Sequence, residues 1–170
     1  MWVATVTDQA GPTSLWNGQP AATTLSSTTV QENGTTILTQ AVKAFCQASP
    51  YYPLGENITQ TLASGTFEYT WVTVSYNGFP STLTLGDSGT IDSGNYLMGI
   101  DPGTTNIGTA TETYSVNAWG PTQVQLVITG TGTLNGQSTS STMAFLVNAQ
   151  GQVALQYLMV DGVELSNQSL

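Results

Sequence analysis

Carboxylates are the groups of this chain best suited to acid–base chemistry, because it contains ten Asp and Glu, one basic residue and no His. Without His there is no imidazole base and no Ser–His pair. Glycosidases and acid proteases work instead with two carboxyl groups whose pKa values differ. Glu68 and Glu112 are the best placed, since each lies among apolar or aromatic neighbours that would raise a carboxyl pKa. If the two meet across one sheet face they indicate an acid-active hydrolase, and if they point to solvent they have no catalytic role.

The segment Gly86-Asp87-Ser88-Gly89 resembles the nucleophile loop of trypsin-like serine proteases over these residues alone. The chain has no histidine to take the proton from such a serine, so we interpret the segment as a turn. Asp87, Asp92 and Asp101 could offer oxygens to Ca²⁺, but Asp, Ser and Gly are also the usual turn residues. We therefore predict no catalytic residue, no metal site and no cofactor, and we expect that the protein is not an enzyme.

Trp16 and Trp119 are the aromatic residues best suited to contact a ligand, because both lie in turn-like surroundings, beside Asn17-Gly18 and Gly120-Pro121. An exposed ring offers a flat apolar surface to the C–H side of a sugar. Packing beneath a loop is the other interpretation of both residues. The pair supports an alternative function, that of a non-catalytic β-domain that binds carbohydrate or another small ligand.

Three sequons could carry glycans, at Asn33, Asn57 and Asn167. Each would mark an accessible surface segment if the protein is exported. In a chain this rich in Asn, Ser and Thr, about that many sequons also arise by chance.

The composition excludes several classes of partner. Charged residues make up 6% of the chain and its formal net charge is −9, whereas ordinary domains carry about 25% charged residues. Lys43 is the one basic residue, so we expect no nucleic-acid partner and no anionic membrane surface. No apolar run reaches the length of a membrane span. Cys46 is the only cysteine, which leaves it as a buried apolar residue or as one half of a bridge between subunits.

Alternation of apolar residues at period two predicts strands over much of the chain. The strongest signal is 66–76, with Asn77-Gly78 as a hairpin turn and 81–85 as the return strand. Asn135-Gly136 predicts a second hairpin turn. Further strands are predicted at 96–100, 109–117, 124–134, 140–148 and 152–160.

One segment has a different pattern. Residues 35–48 contain neither Gly nor Pro, and their apolar side chains recur at spacings of one, three and four. This pattern predicts an amphipathic helix that ends at Ser49-Pro50. Together with the short strands and frequent turns, it predicts one β-rich domain over 1–170, an antiparallel β-sandwich or, as the alternative, a β-barrel, with the helix packed on it.

The low charge also suggests a function, because charged side chains normally keep sheet edges from pairing with other chains. Residues Trp2, Val3, Ala4, Thr5, Val6 and Thr7 form the segment that we predict to be exchanged or paired between copies. We expect an extracellular structural or adhesive subunit of the pilus, fibre or surface-layer type, whose partners are copies of itself. It would lie outside the cell or on its surface, with an export leader removed, and would tolerate acid because few carboxylate pairs are there to lose.

Overall fold

The computed structural model describes residues 2–100, 105–160 and 163–166, and these residues form 11 β-strands and no helix. The strands are β1 (Trp2–Trp16), β2 (Gln19–Glu32), β3 (Thr35–Ala48), β4 (Tyr51–Leu62), β5 (Gly65–Tyr76), β6 (Ser88–Met98), β7 (Asn106–Trp119), β8 (Gln123–Leu134), β9 (Gln137–Asn148), β10 (Val153–Val160) and β11 (Val163–Ser166). In the sheet each strand lies beside its neighbour in the sequence, from β1 to β11, without closure into a barrel. The prediction of a mainly β, antiparallel protein is confirmed, and the two-layer sandwich is not.

The predicted helix is wrong, because Thr35–Ala48 is strand β3. It pairs with β2 from Ala22↔Cys46 to Glu32↔Thr35, and with β4 from Leu38↔Leu62 to Ala48↔Tyr51. Strands on both sides thus supply the backbone hydrogen bonds that an isolated segment would seek in a helix. The β-branched residues of this run also favour the extended form, since their side chains are restricted in a helix.

Tight turns connect several of these strands. Asn17-Gly18, Asn33-Gly34 and Asn135-Gly136 each place both residues at positive φ, with Asn values of 49°, 50° and 51°. This is the type I′ geometry whose twist matches that of paired strands, and the predicted turn at Asn135-Gly136 is confirmed.

Asn77-Gly78 does not form the predicted hairpin. The N–H groups of Asn77 and Gly78 both donate to the carbonyl of Ile91, at 2.8 and 3.1 Å, so the chain is held to β6. Residues 77–87 form a loop, and the predicted return strand at 81–85 is therefore wrong. The other predicted strands lie within β6 to β10, except that the 96–100 segment extends past the end of β6.

The chain divides into two compact units. Unit 1 comprises Met1–Val74 and Gly94–Ile107, and unit 2 comprises Ser75–Ser93 and Gly108–Leu170. In unit 1, Trp16, Ala21 and Phe45 form a buried cluster with Leu54 and Val72 against it.

The indole of Trp16 lies over a glycine. A Cβ at Gly55 would come within 2.6 Å of the Trp16 ring, and Gly55 has φ +155°. Trp71 repeats the arrangement over Gly94, where a Cβ would lie 2.5 Å from the indole. Because glycine has no side chain, each ring can lie directly on the backbone of another strand, β4 for Trp16 and β6 for Trp71.

Among the residues of unit 2 whose burial is described, the buried apolar side chains are Ile91, Val116 and Ala144. The ring of Phe79, from the 77–87 loop, contacts that of Tyr114 on β7, with centroids 5.4 Å apart. This contact attaches the loop to the sheet of unit 2.

Candidate functional site

Strand β1 lies at one end of the strand order, so its far edge has no partner strand in the described part of the chain. Its near edge pairs with β2 from Trp2↔Glu32 to Trp16↔Gln19, with a register shift between Gly11 and Ser14. The side chains of Val3 to Thr7, within the predicted exchange segment, are all exposed, with Val3 at 40% and Val6 at 58%. The structure therefore places this segment on an open sheet edge.

The β1 edge lacks most of the features that keep sheet edges from pairing. Such features are lysines, prolines, bulges and very short strands. Residues 2–11 pair with β2 without a register shift and contain no Lys or Pro, and Asp8 is their only charged residue. Pro12 comes just beyond, at the shift. The regular part of the edge thus offers about ten residues for pairing with another strand.

The predicted glycosylation residues fall in different settings. Asn33 is exposed at the turn between β2 and β3. Asn57 is half-buried within β4, with its Oδ1 3.1 Å from the Thr70 hydroxyl. Asn167 lies outside the described residues. Of the two sequons that the structure describes, that at Asn33 has the accessible position that a glycan requires.

The two candidate ligand aromatics also differ. Trp16 is 5% exposed and packs on Phe45 with ring centroids 4.7 Å apart, so its ring belongs to the core of unit 1. Trp119 is 42% exposed at the end of β7 in unit 2. Its neighbours Ala118 and Gly120 line a shallow cavity of about 370 Å³.

The predicted carboxylate pair is not brought together within one unit. Glu68 is exposed on β5 in unit 1, whereas Glu112 lies on β7 in unit 2. Glu112 instead interacts with Asp92 on β6. Burial raises the Glu112 pKa, the negative charge of Asp92 raises it further, and burial also raises the pKa of Asp92. Asp92 Oδ1 is buried without a hydrogen-bond partner among the described residues.

Sequence reasoning assigned Asp92 to a turn because of its Asp-Ser-Gly context. Alternation along β6, with the buried Ile91 beside it, is the signal that could have placed it in a strand. On the β8 side, Glu112 pairs with Gly130, and a Cβ there would be in ordinary contact with the Glu112 carboxyl, with its Oε1 3.9 Å away.

The Asp-rich region holds a turn. The carboxylate of Asp87 accepts the backbone N–H of Thr84 at 2.7 Å, which lowers the Asp87 pKa. Asp101 lies outside the described residues, and among those described no three Asp, Glu, His or Cys come together as a metal site would require.

A groove on one face of unit 1 was not predicted. It has a volume of about 660 Å³ and crosses β1 to β4, with Ile100 at its border. One row of cross-strand neighbours in it is Thr7, Ser27, Ala41 and Thr59. The next row is Gln9, Leu25, Lys43 and Asn57.

Lys43 lies in this groove rather than on the polar side of a helix. Its ammonium donates a hydrogen bond to Ser14 Oγ at 2.8 Å and lies 5.0 Å from the centre of the Phe45 ring. The sequence could not place Lys43 here, because the predicted helix gave residues 35–48 the wrong neighbours.

Comparison of the chain with protein-family models, with curated proteins and with solved structures finds no match. Among the described residues, no helix is long and apolar enough to cross a membrane.

Proposed function

We propose that this protein is a structural subunit that assembles with copies of itself through the open edge of β1, outside the cell or on its surface. The observation that carries the proposal is the regular, lysine-free edge of residues 2–11. A second strand added there gains main-chain hydrogen bonds along its whole length. Edge pairing needs no break in the β1–β2 ladder, whereas exchange of residues Trp2 to Thr7 does.

The exposed surface of the chain supports association. Fourteen large apolar side chains are exposed among the described residues. The two-layer sandwich also belongs to this proposal, as the arrangement of the strands within one chain.

A location outside the cell rests on composition. Charged residues are 6% of the chain, so most of its polar groups are hydroxyls and amides that do not ionise as pH varies. The exposed sequon at Asn33 is compatible with export. Mass spectrometry of the protein purified from its source, with and without glycosidase treatment, tests for a glycan at that position.

A lysine on the β1 edge tests the assembly. Val6→Lys should reduce the assembled fraction at least tenfold, because a charged lysine on an edge strand opposes pairing. Val74→Lys is the matched control, since Val74 is 61% exposed against 58% for Val6 and lies on the interior strand β5. Light scattering coupled to size-exclusion chromatography and electron microscopy give the readout. Discrete monomers in the unmodified protein, or equal assembly in both variants, would refute the proposal.

A cross-link distinguishes edge pairing from strand exchange. Thr5 and Thr29 are register partners on β1 and β2, so cysteines at both positions can link the strands within one chain. In a Cys46→Ser background, edge pairing predicts that the oxidised protein still assembles. Loss of assembly on oxidation, restored by reduction, would show that the strand is exchanged instead.

Two other functions stay predictions. The carbohydrate- or small-ligand-binding domain retains Trp119 as an exposed aromatic residue. The acid-active hydrolase retains a carboxyl pair, now Asp92 and Glu112 in unit 2. Incubation with polysaccharides and proteins at pH 3 to 5 tests the second of these.

A further inference from the structure

We infer that the groove of unit 1 binds small amphipathic carboxylates, with the ammonium of Lys43 as the anchor for the carboxylate group. This inference concerns one face of unit 1 and does not depend on assembly through the β1 edge.

Lys43 is the only fixed cation in a chain of net charge −9, and it lies within the groove. An ammonium group has three N–H donors. Its contacts among the described residues are the hydroxyl of Ser14 and the ring of Phe45, neither of which is negatively charged. Donors therefore remain for an anionic ligand.

One acidic residue, Asp8 on β1, is among the residues that line the groove. Side chains alternate along a strand, so we expect its carboxylate on the opposite side of the strand from Thr7 and Gln9. Glu56 alternates with Asn57 in the same way and does not line the groove. Lys43, on β3, is the only positive side chain of the groove, so an anionic ligand would be held beside Lys43 and away from Asp8.

The remaining groove surface suits the body of such a ligand. Leu25, Ala41 and Ile100 provide apolar contacts, and Ile100 is 39% exposed. Gln9 and Asn57, in the same row as Lys43, offer amide groups at either side. A volume of about 660 Å³ lies within the usual 300–1,000 Å³ of small-molecule sites. A carboxylate with a short aliphatic chain combines the charge with the apolar area.

Hexanoate is the probe, and hexanamide is its uncharged counterpart. We would titrate each into the ¹⁵N-labelled full chain at pH 7 and follow amide shifts by NMR. Hexanoate should bind with a Kd on the order of millimolar, as its size allows, and at least tenfold more tightly than hexanamide. The largest shifts should come from β2 and β3 around Leu25 and Lys43. Equal binding of the two probes, or shifts only outside the groove, would overturn the inference.

Two variants address different parts of the site. Lys43→Gln removes the charge while keeping a donor for Ser14, and should weaken hexanoate binding at least tenfold without changing hexanamide binding. Ala41→Leu fills the groove while keeping Lys43, and should weaken both. Ala22→Leu is the control, because Ala22 is exposed on β2 and pairs with Cys46 rather than with a groove residue. Hexanoate affinity unchanged in Lys43→Gln, or reduced equally by Ala22→Leu and Ala41→Leu, would contradict the assignment.

Discussion

The two units differ in how they bury polar groups. In unit 1 the buried hydroxyls of Thr23 and Thr70 lie 2.6 and 2.8 Å from the carbonyls of Pro12 and Gly99. In unit 2 the partly buried polar groups include two carboxyls, Asp92 and Glu112, whose pKa values are both raised. These two buried hydroxyls of unit 1 thus rely on neutral hydrogen bonds, whereas part of the stability of unit 2 depends on proton binding.

The largest expected effect is on the packing of unit 1. Gly55→Ala should destabilise this unit by roughly 3 kcal/mol or more, because the new methyl group meets the carbonyl oxygen of Trp71 and the Trp16 ring, and the backbone is strained at φ +155°. Gly65→Ala isolates the backbone cost, since Gly65 has φ +139° and nothing within 4 Å of a Cβ. It should cost about 1 kcal/mol.

Hydrogen exchange read by mass spectrometry, in increasing denaturant, reports β4 and β8 separately. The loss in Gly55→Ala should appear in β4 and not in β8. An equal loss in the two glycine variants would show that the contacts with the Trp71 carbonyl oxygen and the Trp16 ring add nothing.

The second effect concerns the carboxyls of unit 2. A raised native pKa means that folding favours the protonated form, so stability is greatest below the ordinary carboxyl range and falls as pH rises through the raised pKa. Glu112→Gln should therefore stabilise unit 2 at pH 7 by about 1 kcal/mol, after allowance for solvent screening, and change little at pH 3. Thermal unfolding at both pH values, with exposed Glu68→Gln as control, measures this difference. Destabilisation by Glu112→Gln at pH 7 would mean that the carboxylate is favourably bound.

The smallest expected effect concerns Asp87, whose contribution to stability depends on pH in the opposite direction to that of Glu112. The Asp87 pKa is lowered by the hydrogen bond from the Thr84 N–H, so its contribution is present above the ordinary carboxyl range and is lost as pH falls through the lowered pKa. Asp87→Ala should slightly lower the melting temperature at pH 7 and leave it unchanged at pH 2. The same decrease at both pH values would indicate that the turn does not depend on the charge.

Sequence patterns predicted those parts of the fold that depend on local chemistry. Alternation identified β5, β7 and β8, and the turn preference of Asn-Gly identified the hairpin at Asn135-Gly136. Sequence patterns failed where the conformation of a segment depends on strands that are distant from it in the sequence. The apolar spacing in β3 is that of a helix when the segment is considered alone, but pairing with β2 and β4 holds the segment in the extended conformation. Asn77-Gly78 has the residues of a hairpin turn, but the N–H groups of both residues donate hydrogen bonds to the carbonyl of Ile91.

The candidate sites follow the same division. The lysine-free strand pattern of residues 2–7 could be predicted from the sequence, whereas its place at a sheet edge depends on which strands pair. The groove could not be predicted, because its rows combine residues from four strands and the sequence does not reveal the pairing register of these strands. Pairing of Glu112 with Asp92 rather than Glu68 likewise depends on which strands become neighbours.

The sequential strand order has a consequence for how the protein forms. Every strand from β1 to β11 lies beside the one before it in the chain. Loops between partners are short in most cases, so little chain entropy is lost when each pair closes. The sheet can therefore be built from its first hairpin onward while the polypeptide is still emerging from a ribosome or a secretion channel, with each new strand added to the one just formed.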